Sequence, residues 1–237
     1  MARTLCWPGV LAACCIMGLQ PIPSWAAGVA ITLNGGFGSV TVPARSHAEM
    51  RWDGVVAQQY DYSCGAAAVA TLLTYHYGRP TAEEEVFESM IRAGDVEQIR
   101  EQGFSMLDMK RYLDAQGLNS DGFRVELDDL ARIGVPAITL INTGGYRHFV
   151  VLKGLDDDTV LVGDPAVGTV AVPKAHFESI WSGLVLGARA DTEIAKANFN
   201  HERDWRIRPS APVGSGIDRT DVASMLLQLP AINELGR

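Results

Sequence analysis

Apolar residues in this chain recur at helical spacing up to about residue 133. From residue 136 onward they fall into the runs and alternations of strands. A helix buries a face built from every third or fourth residue. A strand buries every second residue, or all of them when both faces are covered. Helices gathered first and strands later describe an α+β fold, with N-terminal helices packed on an antiparallel sheet. The pattern predicts helices over 65–77, 81–93, 105–117 and 127–133. It predicts strands over 136–141, 148–153, 159–162, 169–172 and 184–188, with a short helix over 175–181 among them. Ser63 or Asp61 is the candidate N-cap of the first helix, and Gly78-Arg79-Pro80 ends it. Thr81-Ala82-Glu83-Glu84 has the form of a capping box for the second.

The flanks carry other signals. Residues 1–26 hold Arg3, an apolar run over 5–19, breaks at Pro21 and Pro23, and the small residues Ser24 and Ala26. That order is expected of a secretory signal peptide cut after Ala26 or Ala27. The run is shorter than the roughly 20 residues that span a bilayer, so no integral membrane domain is expected. Residues 27–54 read as a β-hairpin around Gly35-Gly36-Phe37-Gly38 and an irregular connector. Residues 55–190 form the expected globular domain. Residues 191–237 read as a polar, partly disordered C-terminal tail, with helical pattern only over 221–229. The formal net charge of −8 disfavours nucleic acid and anionic lipid as partners.

Three of the four cysteines, Cys6, Cys14 and Cys15, lie in the expected signal peptide. The exported chain would keep Cys64 alone, as an intermolecular bridge, an inert buried thiol or a reactive one. Cys64 stands at the predicted start of a helix, where open N–H groups and the helix dipole favour a thiolate. Gln58, six residues upstream, is placed to offer a carboxamide N–H to an oxyanion, with Gln59 as competitor.

Five histidines could serve the thiol. His76 lies 12 residues along the same helix, about 18 Å away. His47 and His201 sit in poorly patterned segments, and His176 opens a helix. His148 begins a strand just after the Gly-rich turn 142–145. If the following hairpin is centred on Asp156, opposed residue numbers total 312 and His148 faces Asp164. Opposed Cβ atoms lie about 4.5–5.5 Å apart, within reach for an Asp to fix an imidazole tautomer. Cys64 as nucleophile, His148 as base and Asp164 as orienter make a thiol triad. No cluster has metal-ligand spacing, and neither metal nor cofactor is expected.

The segments QQYDYSCGAAAVATLLTYHYG (58–78) and HFVVLKG (148–154), with the Gly163-Asp164-Pro165 turn, resemble the bacteriocin-processing cysteine peptidases. These are family thirty-nine of the cysteine peptidases, papain-like in fold, similar to the exporter domains that cut double-glycine leaders. The resemblance spans roughly 55–190. It implies Cys64 as nucleophile, His148 as base, Asp164 as orienter and Gln58 as oxyanion donor. Exporter-borne members usually carry an acid before the cysteine, where this chain has Ser63. No Gly-Lys dipeptide occurs, hence no phosphate-binding P-loop.

The chain therefore resembles the standalone exported members, one of which is encoded with the functional-amyloid secretion genes of pseudomonads. The resemblance implies a periplasmic or secreted peptidase acting on a secreted polypeptide, with a Gly-Gly-type leader and an amyloid-type secretion system as candidate substrate and partner. A cell-wall amidase and a non-catalytic module that binds export substrates are the alternatives. Leu33-Asn34-Gly35-Gly36 looks like a leader end but is read as the hairpin turn.

Overall fold

The computed structural model describes residues 45–208 in full and the backbone of 28–32 and 39–43. The expected signal peptide, the hairpin turn and the expected helix over 221–229 lie outside the described residues. Within the N-terminal unit, β1 (Gly28–Thr32) pairs antiparallel with β2 (Ser39–Pro43), from Gly28 opposite Pro43 to Thr32 opposite Ser39. The second unit begins at Ser46.

That unit starts with a difference from expectation. The connector read as irregular contains α1 (His47–Arg51), started by a capping box in which Ser46 and Glu49 bond each other's backbone. Next, α2 (Cys64–Thr71) begins at the cysteine itself and continues through a π-helical turn over Leu72–His76. It is buried along its whole length, which explains its run of Gly, Ala and Val. Helix α3 (Glu83–Ala93) forms without the expected capping box. Thr81 instead donates its hydroxyl to the Arg79 carbonyl.

Two elements had no apolar period to reveal them. One is α4 (Val96–Gln102), capped by Asp95 and burying only Ile99; the other is the short edge strand β3 (Ser120–Arg124), mostly exposed. Between them α5 (Met106–Ala115) carries the Ser105–Asp108 capping box. Helix α6 (Leu127–Ile133) follows.

The remaining strands are β4 (Ala137–Thr143), β5 (Tyr146–Leu155), β6 (Thr159–Asp164), β7 (Gly168–Pro173) and β8 (Trp181–Ala188), with α7 (Lys174–Ile180) before the last. Among the described residues six strands form one antiparallel sheet, ordered β3-β8-β4-β5-β6-β7. Both faces are covered. Val69, Leu73, Ile138, Phe149 and Val151 belong to one core cluster; Leu130, Val150, Leu152, Val162 and Phe177 belong to the other. The double burial of β5 accounts for its unbroken apolar run.

The tail is ordered further than expected. Helices α8 (Thr192–Ala197) and α9 (Glu202–Trp205) follow the sheet, and Ala195, Phe199 and Asp204 are buried. Asn200, between them, acts as a strand substitute. Its backbone N–H donates to the Lys153 carbonyl at 2.9 Å. Its side chain accepts from Leu155 N–H at 2.8 Å and donates to the Leu155 carbonyl at 2.9 Å. A Cβ on Gly154 would stand 2.1 Å from Asn200 Oδ1, so only glycine fits there.

This insertion coincides with a bulge between Leu152 and Gly154 in the β5–β6 ladder. Opposed residue numbers consequently total 314 before the bulge and 315 at the hairpin end, not 312. His148 therefore does not face Asp164 directly; it lies one diagonal step along the ladder, a neighbour relation that long side chains still bridge.

Candidate active site

The segment before α2 is tied down at several points. The N–H of Val56 donates to Thr71 Oγ1 at 2.9 Å, and that of Gln58 donates to the Pro165 carbonyl at 3.0 Å. The second bond holds the lead-in beside the turn that follows Asp164. Ser63 then closes a tight turn on Tyr60, with both its N–H and its hydroxyl donating to the Tyr60 carbonyl at 3.0 Å. Ser63 thus occupies the N-cap position but does not cap. The Ser63 side chain makes no capping hydrogen bond to the first turn of α2. A helix start left uncapped has N–H groups free for an incoming anion. Cys64 sits there, 7% exposed and not in a disulfide.

The imidazole comes from the sheet. The β4–β5 hairpin turns through Gly144 and Gly145, both at positive φ (62° and 95°), as a two-residue turn of this hand requires. His148 follows, 4% exposed. Its Nε2 lies 2.7 Å from Asp164 Oδ1. An ionised carboxylate only accepts, so Nε2 carries the proton in that bond. Asp164 Oδ1 also accepts from Ala166 N–H at 2.7 Å, which fixes the carboxylate. Nδ1 of His148 is buried and has no hydrogen-bond partner among the described residues.

Burial alone would lower the His148 pKa. The hydrogen bond to Asp164, then the interaction with neighbouring Cys64, outweigh it and raise the value to about 9. The imidazole is thus held in its cationic form next to the thiol. Gln58 is half-buried. Its Nε2 donates to the Tyr60 carbonyl at 3.1 Å, which leaves one carboxamide N–H uncommitted. The competing Gln59 is turned away, donating to Glu84 at 3.0 Å. His76 is buried elsewhere, with Nδ1 3.2 Å from the Asn198 carbonyl.

Two residues near this centre were missed in the sequence. Tyr146 stacks on the His148 ring, with centroids 5.7 Å apart and planes at 25°. Burial, then the interactions with Cys64, Asp61 and Asp164, raise its phenol pKa. Its signal was the i, i+2 relation to His148 within a strand, which places both on one face. Lys153 is fully buried further along the same strand. Its ammonium donates to Asp204 Oδ1 at 2.8 Å, to the Gly54 carbonyl at 3.0 Å and to Thr169 Oγ1 at 3.2 Å. Burial lowers its pKa, and Asp204 opposes that shift. Among the described residues no group of His, Cys, Asp and Glu could hold a metal ion. Nor is any helix long and apolar enough to cross a membrane.

A thiol at a helix start, an imidazole beside it and a carboxylate behind the imidazole is the arrangement through which cysteine peptidases work. The sequence profile of the Peptidase C39 family matches residues 53–193, and the chain belongs to that family. It is a cysteine peptidase, a hydrolase.

Among curated relatives it is similar to the probable functional amyloid protease FapD of Pseudomonas fluorescens. The two are 38% identical over 172 residues, covering 73% of this chain and 76% of the relative. The FapD of Pseudomonas aeruginosa is 43% identical over 151 residues, covering 64% and 67%. Among solved structures it is similar to a double glycine motif protease from an AMS/PCAT transporter in complex with the leader peptide. That match has 30% identity, covers 56% of this chain and 89% of the other, and has a TM-score of 0.48.

Proposed function

We propose that this chain is an exported cysteine peptidase that cuts a peptide bond in a secreted polypeptide, with Cys64, His148 and Asp164 as its triad and Gln58 as oxyanion donor. The observation that carries the assignment is the His148 ring. One nitrogen is bound to Asp164, and the other is buried, unpartnered and next to Cys64.

In the proposed reaction the Cys64 thiolate attacks the scissile carbonyl carbon and a C–S bond forms. The carbonyl oxygen becomes an oxyanion, met by the uncommitted Gln58 carboxamide N–H and by a backbone N–H at the uncapped start of α2. His148 Nδ1–H protonates the leaving amine as the C–N bond breaks. The neutral imidazole then takes a proton from water, whose oxygen displaces Cys64 from the thioester. Asp164 keeps Nδ1 turned to the thiol throughout and stabilises the imidazolium.

The similarity to FapD supports a substrate from an amyloid-type secretion system, and the family supports a Gly-Gly-type leader junction. The signal-like residues 1–26 support export to the periplasm or beyond. The test is Cys64→Ala in a strain that secretes the candidate substrate. The expected result is accumulation of the uncut polypeptide while the variant still binds it. Unimpaired maturation would point to a binding module, and digestion of purified peptidoglycan by the wild type would point to an amidase.

A further inference from the structure

Cys64 opens into a cavity of about 190 Å³. Its walls are mostly apolar, with Phe104, Met106, Leu140, Phe149 and Leu184 beside the uncharged polar Gln102 and Ser105. The one charged side chain among its described lining residues is Arg147, immediately before His148 on β5. Arg147 also borders two adjoining cavities of about 410 and 330 Å³, the first of which shares Cys64. Arg147 therefore lines all three hollows, two of which also include the nucleophile.

Charged groups of both signs line those neighbours. Asp61, Arg100 and Glu101 face the larger one; Asp95, Asp108 and Arg111 face the smaller. Asp95 is committed to the N–H groups of Glu97 and Gln98, and Asp108 to Ser105 and Arg111. None of these groups forms a hydrogen bond or ion pair with Arg147. Elsewhere Arg79 is held by Asp191, Arg132 by Asp129 and Arg189 by Asp121. A guanidinium offers a planar fork of donors that fits a carboxylate on two N–H groups.

We infer that Arg147 is a specificity residue: the enzyme prefers a polypeptide with an apolar side chain next to the scissile bond, seated in the small cavity, and an Asp or Glu within a few residues, held by Arg147. The inference rests on the peptidase reading of Cys64 and names the substrate that site selects.

The experiment uses the mature full chain and internally quenched peptides with a Gly-Gly centre and a flanking leucine. Glu, Gln or Lys is placed in turn at each position from four before the cut to three after. At one position kcat/KM should be about tenfold higher for Glu than for Gln, the scale of one charge-assisted contact, and lower again for Lys. The preference should vanish in Arg147→Ala and reverse toward Lys in Arg147→Glu. Reversal is an outcome that mere loss of structure would not produce. Cleavage with no position separating Glu from Gln, or a separation that survives Arg147→Ala, overturns the role of Arg147 alone. No cleavage of any peptide by the wild type overturns the peptidase reading and this inference together.

Discussion

Strand β5 carries two buried cation–carboxylate contacts of nearly equal length, five residues apart. His148 meets Asp164 at 2.7 Å and Lys153 meets Asp204 at 2.8 Å. They differ in what is left over. Each of the three N–H donors of Lys153 is taken, by a carboxylate, a carbonyl and a hydroxyl. On the other side of that pair Asp204 Oδ2 stays unpartnered, an acceptor with no proton to give. His148 keeps a whole ring nitrogen uncommitted beside a thiol. A buried charge whose donors are all satisfied ties elements together, here β5 to the 53–55 segment, β7 and α9. A buried charge with spare hydrogen-bonding capacity next to a nucleophile is equipped for chemistry.

Changes at the open pair should destroy activity and leave the fold. In Cys64→Ala and His148→Ala peptide cleavage should fall by about 10⁴-fold or more, with unfolding midpoints close to wild type. Asp164→Asn should lose about 10³-fold through the wrong tautomer. Single-turnover cleavage assays beside urea unfolding would check all three. A collapse of stability in Cys64→Ala would erase the distinction drawn here.

Changes at the closed pair should do the reverse. Lys153→Met leaves the buried Asp204 with only the longer 3.4 Å contact from Arg203 Nε and should cost about 3 kcal/mol in urea unfolding. Adding Asp204→Leu should restore most of that loss. Alkylation of Cys64 in whatever remains folded should keep its wild-type pH profile. If Lys153→Met instead changed that profile with stability intact, the two pairs would be one system.

Two smaller effects sharpen the contrast. Gln58→Ala should lower kcat by about 10²-fold with little change in KM, as loss of one oxyanion donor does. On the closed side, His76 is fully buried. Burial first, then the charge of Lys153, pushes its pKa down to about 3. The unfolded chain takes up this proton below about pH 6.5 and the folded one only near pH 3, so stability must decline as pH falls between those values. The loss from pH 6 to pH 4 should be about 2 kcal/mol from this group. His76→Gln should flatten that limb of the stability curve, and a curve of unchanged slope would remove His76 as its cause.

How much of this could be read from the sequence depended on the range of the forces involved. The helix over Met106–Ala115 announced itself through a periodic buried face, and the helix from Cys64 and strand β5 through apolar or small runs that burial on every side explains. The place of Cys64 at a helix start and the meeting of His148 with Asp164 were legible because a helix start and two neighbouring strands constrain where those side chains can go. The register between His148 and Asp164 was not. The bulge at Lys153 accompanies Asn200, 45 residues beyond Leu155, which occupies the backbone positions a ladder partner would use. For the same reason residues 192–208 looked like a tail: they are held by long-range hydrogen bonds and one buried ion pair rather than by an apolar stripe. Helix α4 and strand β3 stayed hidden because they are mostly exposed. Arg147 needed the structure, since only the assembled cleft shows it to be the one charged side chain among the described lining residues of the smaller cavity at Cys64.

The central claim is that the open nitrogen of His148 serves the Cys64 thiol. The rate of Cys64 alkylation by iodoacetamide, followed against pH in the mature protein and in His148→Ala, tests it most directly. With the imidazole held cationic up to about pH 9, the rate should persist well below pH 8 and that acid limb should vanish in His148→Ala. A wild-type rate that instead follows an unassisted thiol, titrating near about pH 8.5 and indifferent to His148, would contradict the account.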